Sequence, residues 1–373
     1  MTPEEKTIDI LRKHKVDFLG VLPCDRNKNL YDALLSRFYS VELGREEEGC
    51  GICAGAIMGG ARPAMVIQNS GLGNMINALA SLNRHYGFAL PILMSWRGAV
   101  SETIEAQKWM GTYSLKIMEA LDIPYHEIHT INDVSIIDQT LDSVYANNEL
   151  RGYLFEPFLW TQSDFTVDTV PKPTYSMPKV FDAPYLKPEF TRYEMLQKLA
   201  SELTGKAVVC NLGIPCKELY KVCHQKSNFY MLGSMGMVTP IALGMSLVSD
   251  KTVISIDGDG SVLMNPSTLA TVAKTGPKNL IILCIDNGAY GSTGNQHTAT
   301  SVCVDLAKVA RGFGIRSVLR SNDPEEIAET LAGFKSNGPL FIHVICKAGN
   351  AQLPNLIISP QEIRTNVENH LKS

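Results

Sequence analysis

The sequence predicts an α/β protein made of two doubly wound parallel-sheet domains. Three observations carry that expectation. Short apolar runs rich in β-branched residues alternate with helical patterns through both halves of the chain. A proline-rich stretch without periodicity separates the halves. A strand, a polar crest, glycines and a helical start recur in each half, as MVIQNSGLGN (65–74) and VISIDGDGSV (253–262). Any doubly wound domain repeats that local pattern, so the echo fits a duplicated fold without proving one.

The chain opens on MTPEEKTIDILRKHK, a charged amphipathic segment without the apolar stretch of a signal peptide. Strands are expected at 16–22, 65–69 and 90–96, each followed by glycine or polar residues and a helical pattern. The first domain is placed at 1–165, a linker at 166–189 and the second domain at 190–373. Pro171, Pro173, Pro178, Pro184 and Pro188 exclude regular helix from the linker and favour extended backbone. Further strands are expected at 207–211, 252–256, 280–285 and 340–345. Ser359-Pro360-Gln361-Glu362 reads as a capping box with proline at the first helical position, before a last amphipathic helix.

Composition narrows the function. The 373 residues allow two domains, each able to bury its own core. A net charge of −4 from 34 basic and 38 acidic residues, with no basic block, argues against nucleic-acid or anionic-membrane partners. No apolar run approaches the roughly 20 residues that span a bilayer. Nine scattered cysteines suit a reducing, cytoplasmic setting better than a disulfide framework. Cys50 and Cys53 have redox or metal spacing but no second pair, and read as packed thiols in an Ala/Gly-rich helix.

Chemistry concentrates in 252–296. One apolar run ends in Asp257, and Gly258-Asp259-Gly260-Ser261 then opens a helix; a second run ends in Asp286-Asn287-Gly288. Parallel strands would deliver the Asp259 carboxylate and the Asn287 amide oxygen to one carboxyl edge, where open α/β sheets bind ligands. A hard cation such as Mg²⁺ takes oxygen ligands and is shared with phosphates. The tight glycine turn and helix start offer N–H groups to such a phosphate. A Gly-Asp-Gly alone is a common turn; 26 intervening residues and then Asn287 make the pattern specific. Gly71-Leu72-Gly73 lacks the third glycine of a dinucleotide fingerprint, so no NAD site is expected there.

That spacing resembles the thiamine-diphosphate enzymes. REEEGCGICAGAIMGG (45–60), QNSGLGNMINALASL (68–82), FYMLGSMGMVTPIALG (229–244), IDGDGS and DNGAYGSTGNQ are similar to the sulfopyruvate decarboxylase family among the 2-oxoacid decarboxylases. The resemblance implies a pyrimidine-binding domain and a diphosphate-binding domain of the thiamine-diphosphate-binding fold. Separate subunits in the family's common form, they are here fused end to end, without a middle domain. It implies Mg²⁺ on Asp259, the Asn287 side chain and the Ala289 carbonyl, with Gly258, Gly260, Ser261 and Tyr290 around the diphosphate. Gly233-Ser234-Met235-Gly236 matches the loop whose apolar residue props the cofactor's V shape, a role for Met235. Glu48 matches the carboxyl that binds the pyrimidine N1′ and promotes proton removal from the cofactor. By themselves, Glu46, Glu47 and Glu48 also read as a solvated helix start, and Met235 as a core methionine.

The implied reaction is decarboxylation of 3-sulfopyruvate to sulfoacetaldehyde and CO₂, toward coenzyme M. Phosphonopyruvate decarboxylation, carboligation and a cofactor-binding subunit without catalysis are the alternatives. A substrate with a carboxylate and a sulfonate needs cations and donors. Arg97 stands where a strand's end meets a loop, and Asn69 and Ser70 cap the preceding strand. Lys28, Gln107 and Lys108 are weaker candidates; His297 and His85 read as loop histidines or proton donors. The family architecture implies a homodimer or higher homo-oligomer with cofactor sites at subunit interfaces.

Overall fold

A computed structural model describes residues 1–22, 24–99, 102, 104–161, 163, 165, 186–292 and 295–373. The chain forms two compact units, Met1–Ile57 with Ala61–Thr174, and Met58–Gly60 with Tyr175–Ser373. Most of the expected linker, 166–185, lies outside the described residues.

The first unit holds β1 (Phe18–Val21), β2 (Tyr39–Glu42), β3 (Pro63–Gln68), β4 (Leu90–Ser95), β5 (Tyr125–Ile128) and β6 (Leu150–Phe155). They form one parallel sheet in the order β2-β1-β3-β4-β6-β5. The second unit holds β7 (Ala207–Cys210), β8 (Asn228–Tyr230), β9 (Val253–Gly258) and β10 (Leu280–Asp286). A short hairpin, β11 (Ala289–Tyr290) with β12 (Gln296–His297), follows β10. β13 (Ser317–Ser321) and β14 (Leu340–Ile345) complete a parallel sheet in the order β13-β14-β10-β9-β7-β8.

Leaving the hairpin aside, both sheets have the same topology: second, first, third, fourth, sixth, fifth strand in chain order. The direction of winding reverses between the first and third strands, at β1/β3 and at β7/β9. These are the positions where open α/β sheets leave a crevice at their carboxyl ends.

The inner strands are continuous apolar runs because both sheet faces are covered: β4 and β10 are buried along their whole length. Such runs were readable in sequence, with small shifts at their ends. β3 begins two residues before the expected 65, and Asn69 opens a short 3₁₀ turn instead of ending the strand. β9 runs on to Gly258, beyond the expected 256. The edge strands β2, β5 and β13 carry exposed or half-buried positions and polar residues, which hid them from an apolar-run reading.

The N-terminal helix Pro3–Lys13 starts on a complete Thr2/Glu5 capping box. The C-terminal helix Pro360–Lys372 starts at Ser359, whose hydroxyl accepts the Glu362 N–H at 3.1 Å. Among the described residues no helix is long and apolar enough to cross a membrane. Cys50 and Cys53 are fully buried, and burial pushes the Cys53 thiol up to about 12, which leaves them packed thiols.

Candidate active site

In the second unit, β9 ends at Gly258 and the helix Asp259–Met264 begins at once, so Asp259 sits in its first turn. Close approach favours glycine at these positions, most strongly at 260. A Cβ at position 260 would lie 2.3 Å from the Tyr290 ring, and one at 258 would lie 3.1 Å from Asn211 Nδ2. Asp257, the residue before the crest, accepts from the Thr239 hydroxyl at 2.7 Å and the Gly258 N–H at 2.9 Å. Ser261 Oγ accepts the Gly236 N–H at 3.1 Å and thereby ties the 233–236 loop to the crest.

Asp259 is buried and faces hydroxyls from the segment after β12. Its Oδ2 accepts from Thr298 and from Thr300, the latter at 3.0 Å. Thr300 also reaches Asp286 Oδ1 at 2.8 Å and Thr298 Oγ1 at 2.9 Å. Burial, and then the charge of Asp286, push the Asp259 carboxyl up to about 6. Burial opposes ionisation of Asp286 too, but His343, whose Nε2 lies 2.8 Å away, outweighs it and holds that carboxyl below its usual range. Asn287 is buried; its Oδ1 accepts the Ala289 N–H at 3.3 Å, and its Nδ2 has no partner among the described residues. Gly288, at φ +65°, takes the left-handed conformation that favours glycine in the turn between Asn287 and Ala289.

The oxygen set can be tested for a cation. Four O···O approaches among Thr298, Thr300, Asp259 and Asp286 share only two hydroxyl hydrogens. His343 balances the charge of Asp286, so the surplus sits at Asp259, where a proton or a hard cation would offset it. Among the described residues no group of three or more His, Cys, Asp or Glu side chains gathers as a metal site. On the cleft wall Asp259 carries a carboxylate, Asn287 an amide oxygen and Ala289 a backbone carbonyl, the donor types that a hard cation takes.

A cleft opens over this crest. Of the residues expected around a diphosphate, Met235, Gly258, Asp259, Gly260, Ser261, Asn287, Ala289 and Tyr290 all line it. Gly233 and Ser234 are not on its wall, and Ser234 is fully buried. Sequence reasoning missed Asn211, Arg192, Thr298, Thr300 and His343. Of these, only Asn211 had a local signal, since it ends an expected strand two residues before a glycine.

In the first unit, the helix Glu46–Met58 buries all three glutamates, so the reading of a solvated helix start does not hold. Glu48 is 0 % exposed, and its Oε1 accepts the Gly44 N–H. Glu46 accepts from Asn74 Nδ2 at 2.9 Å, and burial raises the Glu47 carboxyl against a partial offset from Arg45. A Cβ at Gly49, beside Glu48, would meet Leu43 Cδ1 at 2.6 Å and Met65 Cε at 2.7 Å, so those side-chain ends would have to shift.

Asn69, expected at the substrate, is instead occupied by the scaffold. Its Nδ2 donates to Arg97 O and Ser114 Oγ, both at 3.0 Å, and to Met110 O at 3.3 Å, while Oδ1 accepts the Arg97 N–H at 2.9 Å. Arg97 is buried in a two-point pair with Glu102, Nε at 2.7 Å and Nη2 at 3.2 Å, which holds that carboxyl down at about 2. Ser70 Oγ accepts from Gln68, whose amide also reaches Gln107 Oε1 at 3.3 Å. Lys108, His85 and His297 are exposed, and the Lys28 side chain lies outside the described residues.

Comparison with known proteins agrees with this geometry. Residues 1–115 match the N-terminal TPP binding domain of thiamine pyrophosphate enzymes, and residues 213–344 match the C-terminal TPP binding domain. The chain is 43% identical over 370 residues to a sulfopyruvate decarboxylase of Methanosarcina acetivorans, covering 97% of this chain and 96% of that one. It is 31% identical over 355 residues to a phosphonopyruvate decarboxylase of Streptomyces viridochromogenes, covering 92% and 88%. The solved benzoylformate decarboxylase of Polynucleobacter necessarius has a TM-score of 0.70 over 94% of this chain and 100% of its own, at 12% identity, a likeness of fold alone. The chain belongs to the sulfopyruvate decarboxylase family of thiamine pyrophosphate enzymes.

Proposed function

We propose that this protein decarboxylates 3-sulfopyruvate to sulfoacetaldehyde and CO₂, using thiamine diphosphate held through Mg²⁺. The observation that carries the reading is the buried Asp259 carboxylate, set against the Thr298 and Thr300 hydroxyls in a cleft whose wall also holds Asn287 and Ala289. Asp259, Asn287 Oδ1 and the Ala289 carbonyl hold the ion. The N–H groups of the Gly258–Ser261 crest face the diphosphate. Thiamine diphosphate, when bound, supplies the nucleophilic carbon and the electron sink. Met235 props its folded shape, and Glu48, fixed by the Gly44 N–H, holds the proton shared with the pyrimidine N1′. Ser70 and Arg97 are assigned to the anionic ends of the substrate, with Glu102 and Asn69 setting the orientation of Arg97.

Phosphonopyruvate is the second reading, supported by the similarity to a phosphonopyruvate decarboxylase over most of the chain. We also infer a homodimer. On the helix Glu105–Ala120, the stacked Trp109 and Tyr113 rings are 65% and 44% exposed, apolar surface suited to burial against a second copy.

The test is CO₂ release from sulfopyruvate, phosphonopyruvate and pyruvate, with and without thiamine diphosphate and Mg²⁺. Release from sulfopyruvate that needs both is expected, at a higher kcat/KM than from the other two. No cofactor-dependent release from any substrate would end the decarboxylase reading.

A further inference from the structure

We propose that Arg192 is a cofactor-binding residue that contacts the terminal phosphate of the diphosphate, an assignment that rests on the thiamine-diphosphate reading above. Arg192 is the first residue of the helix Arg192–Leu203 and is 7% exposed. Its Nε donates to Glu218 Oε2 at 2.6 Å and its Nη2 to Glu218 Oε1 at 3.3 Å. Glu218, on the helix Ile214–Cys223, is fully buried and also accepts the Ala351 N–H at 3.1 Å.

The same Nη2 donates to Asn350 Oδ1 at 3.1 Å, and Asn350 Nδ2 donates to the Gly291 carbonyl at 2.8 Å. Gly291 follows Tyr290 on the cleft wall, and a Cβ there would lie 2.5 Å from Asn350 Oδ1. One guanidinium therefore ties a helix start, the segment after β14 and the cofactor loop together.

A buried Arg–Glu pair is a weak source of stability, because desolvation offsets its attraction. This pair has another use open to it. Among the described residues, Arg192 is the only lysine or arginine lining the cleft, while Asp257 and Asp259 contribute acids to the same wall. Its bonds to Glu218 and Asn350 use Nε and Nη2 and leave both Nη1 hydrogens without a partner among the described residues. A planar guanidinium with two donors to spare matches phosphate oxygens. Glu218 moderates the charge and fixes the plane of the group.

The experiment is calorimetric binding of thiamine diphosphate and thiamine monophosphate, each with Mg²⁺, to the full chain and to Arg192→Lys, Arg192→Met and Glu218→Gln. Arg192→Lys is expected to weaken thiamine diphosphate by about tenfold or more, and thiamine monophosphate by less than about threefold. Glu218→Gln is expected to keep or tighten the diphosphate affinity. Equal losses for the two ligands in Arg192→Lys would mean that the residue only supports the fold, and an unchanged diphosphate affinity would remove the contact altogether. If Arg192→Met unfolds, as circular dichroism would reveal, the lysine variant alone decides. Failure of the wild-type chain to bind either ligand would overturn the cofactor reading itself rather than this residue's part in it.

Discussion

β3 and β9 hold the same place in their sheets, third in chain order and beside the first strand, yet their crests use polar groups in opposite ways. After β3, Asn69 is fully buried and its amide is satisfied by Arg97, Met110 and Ser114. After β9, Asp259 is nearly as buried; two hydroxyls and the Gly260 N–H face it, yet burial and the charge of Asp286 still work against its ionisation. A crest whose donors and acceptors balance is a joint. A crest that holds an acid against burial and a neighbouring like charge has use for a cation.

The strongest way to break this comparison is to remove the polar group at each crest. Asp259→Asn is expected to lower cofactor-dependent turnover by at least about a thousandfold, on the scale of losing a key electrostatic contact. It should leave the melting temperature of the cofactor-free protein unchanged or higher, because one of two crowded carboxylates is gone. Asn69→Ala should do the reverse: roughly 2–4 kcal/mol less stability, from stranding buried Arg97 and Ser114 partners, with thiamine diphosphate affinity within about threefold of wild type. Turnover and melting measured on both variants decide the matter. If Asn69→Ala weakened cofactor binding as much as Asp259→Asn, the two crests would not differ in kind.

The exception inside the first unit is Glu48, an acid expected to act on the cofactor rather than on the scaffold. Glu48→Gln keeps the acceptor for the Gly44 N–H. It is expected to bind thiamine diphosphate normally while losing about a hundredfold to a thousandfold in kcat. Glu46→Gln, whose acid accepts from Asn74, should lose less than about fivefold. Undiminished turnover in Glu48→Gln would place the activating acid elsewhere.

How much of this was legible in the sequence follows from the same contrast. Asp259, Asn287 and their glycines were readable because close backbone approach leaves a local trace: only glycine fits at 260 under the Tyr290 ring. The inner strands were readable because burial on both faces demands unbroken apolar runs. Asn69 was correctly placed at a crest, but its bonding was not foreseeable, since Met110 and Ser114 lie some forty residues on in a helix. Thr298, Thr300, His343 and Arg192 were missed for that reason. Each acts through a partner far away in the chain, and a lone Thr, His or Arg carries no period or spacing that marks it.

The smallest expected effect sharpens the view that the first unit uses its charges as joints. His14, at the end of the helix Pro3–Lys13, places Nε2 2.7 Å from Asp138 Oδ1 and Nδ1 3.0 Å from Asp142 Oδ2, two acids one turn apart on the helix Ser135–Ala146. Lys13 also reaches Asp138, and Arg62 reaches Asp142. Burial alone would lower the His14 pKa, but the hydrogen bonds and charges of Asp142 and Asp138 outweigh it and raise it. A folded-state pKa above the unfolded value of about 6.5 gives stability that is complete below that pH and disappears as pH rises through the folded pKa. Because Asp142 is 70% exposed, solvent screening keeps the contribution below about 1 kcal/mol. The melting temperature of His14→Gln should therefore fall below that of wild type at pH 5.5, and the gap should narrow by pH 8.5. A gap of the same size at both ends of that range would mean that His14 packs there without titrating, and that this joint is not built on charge.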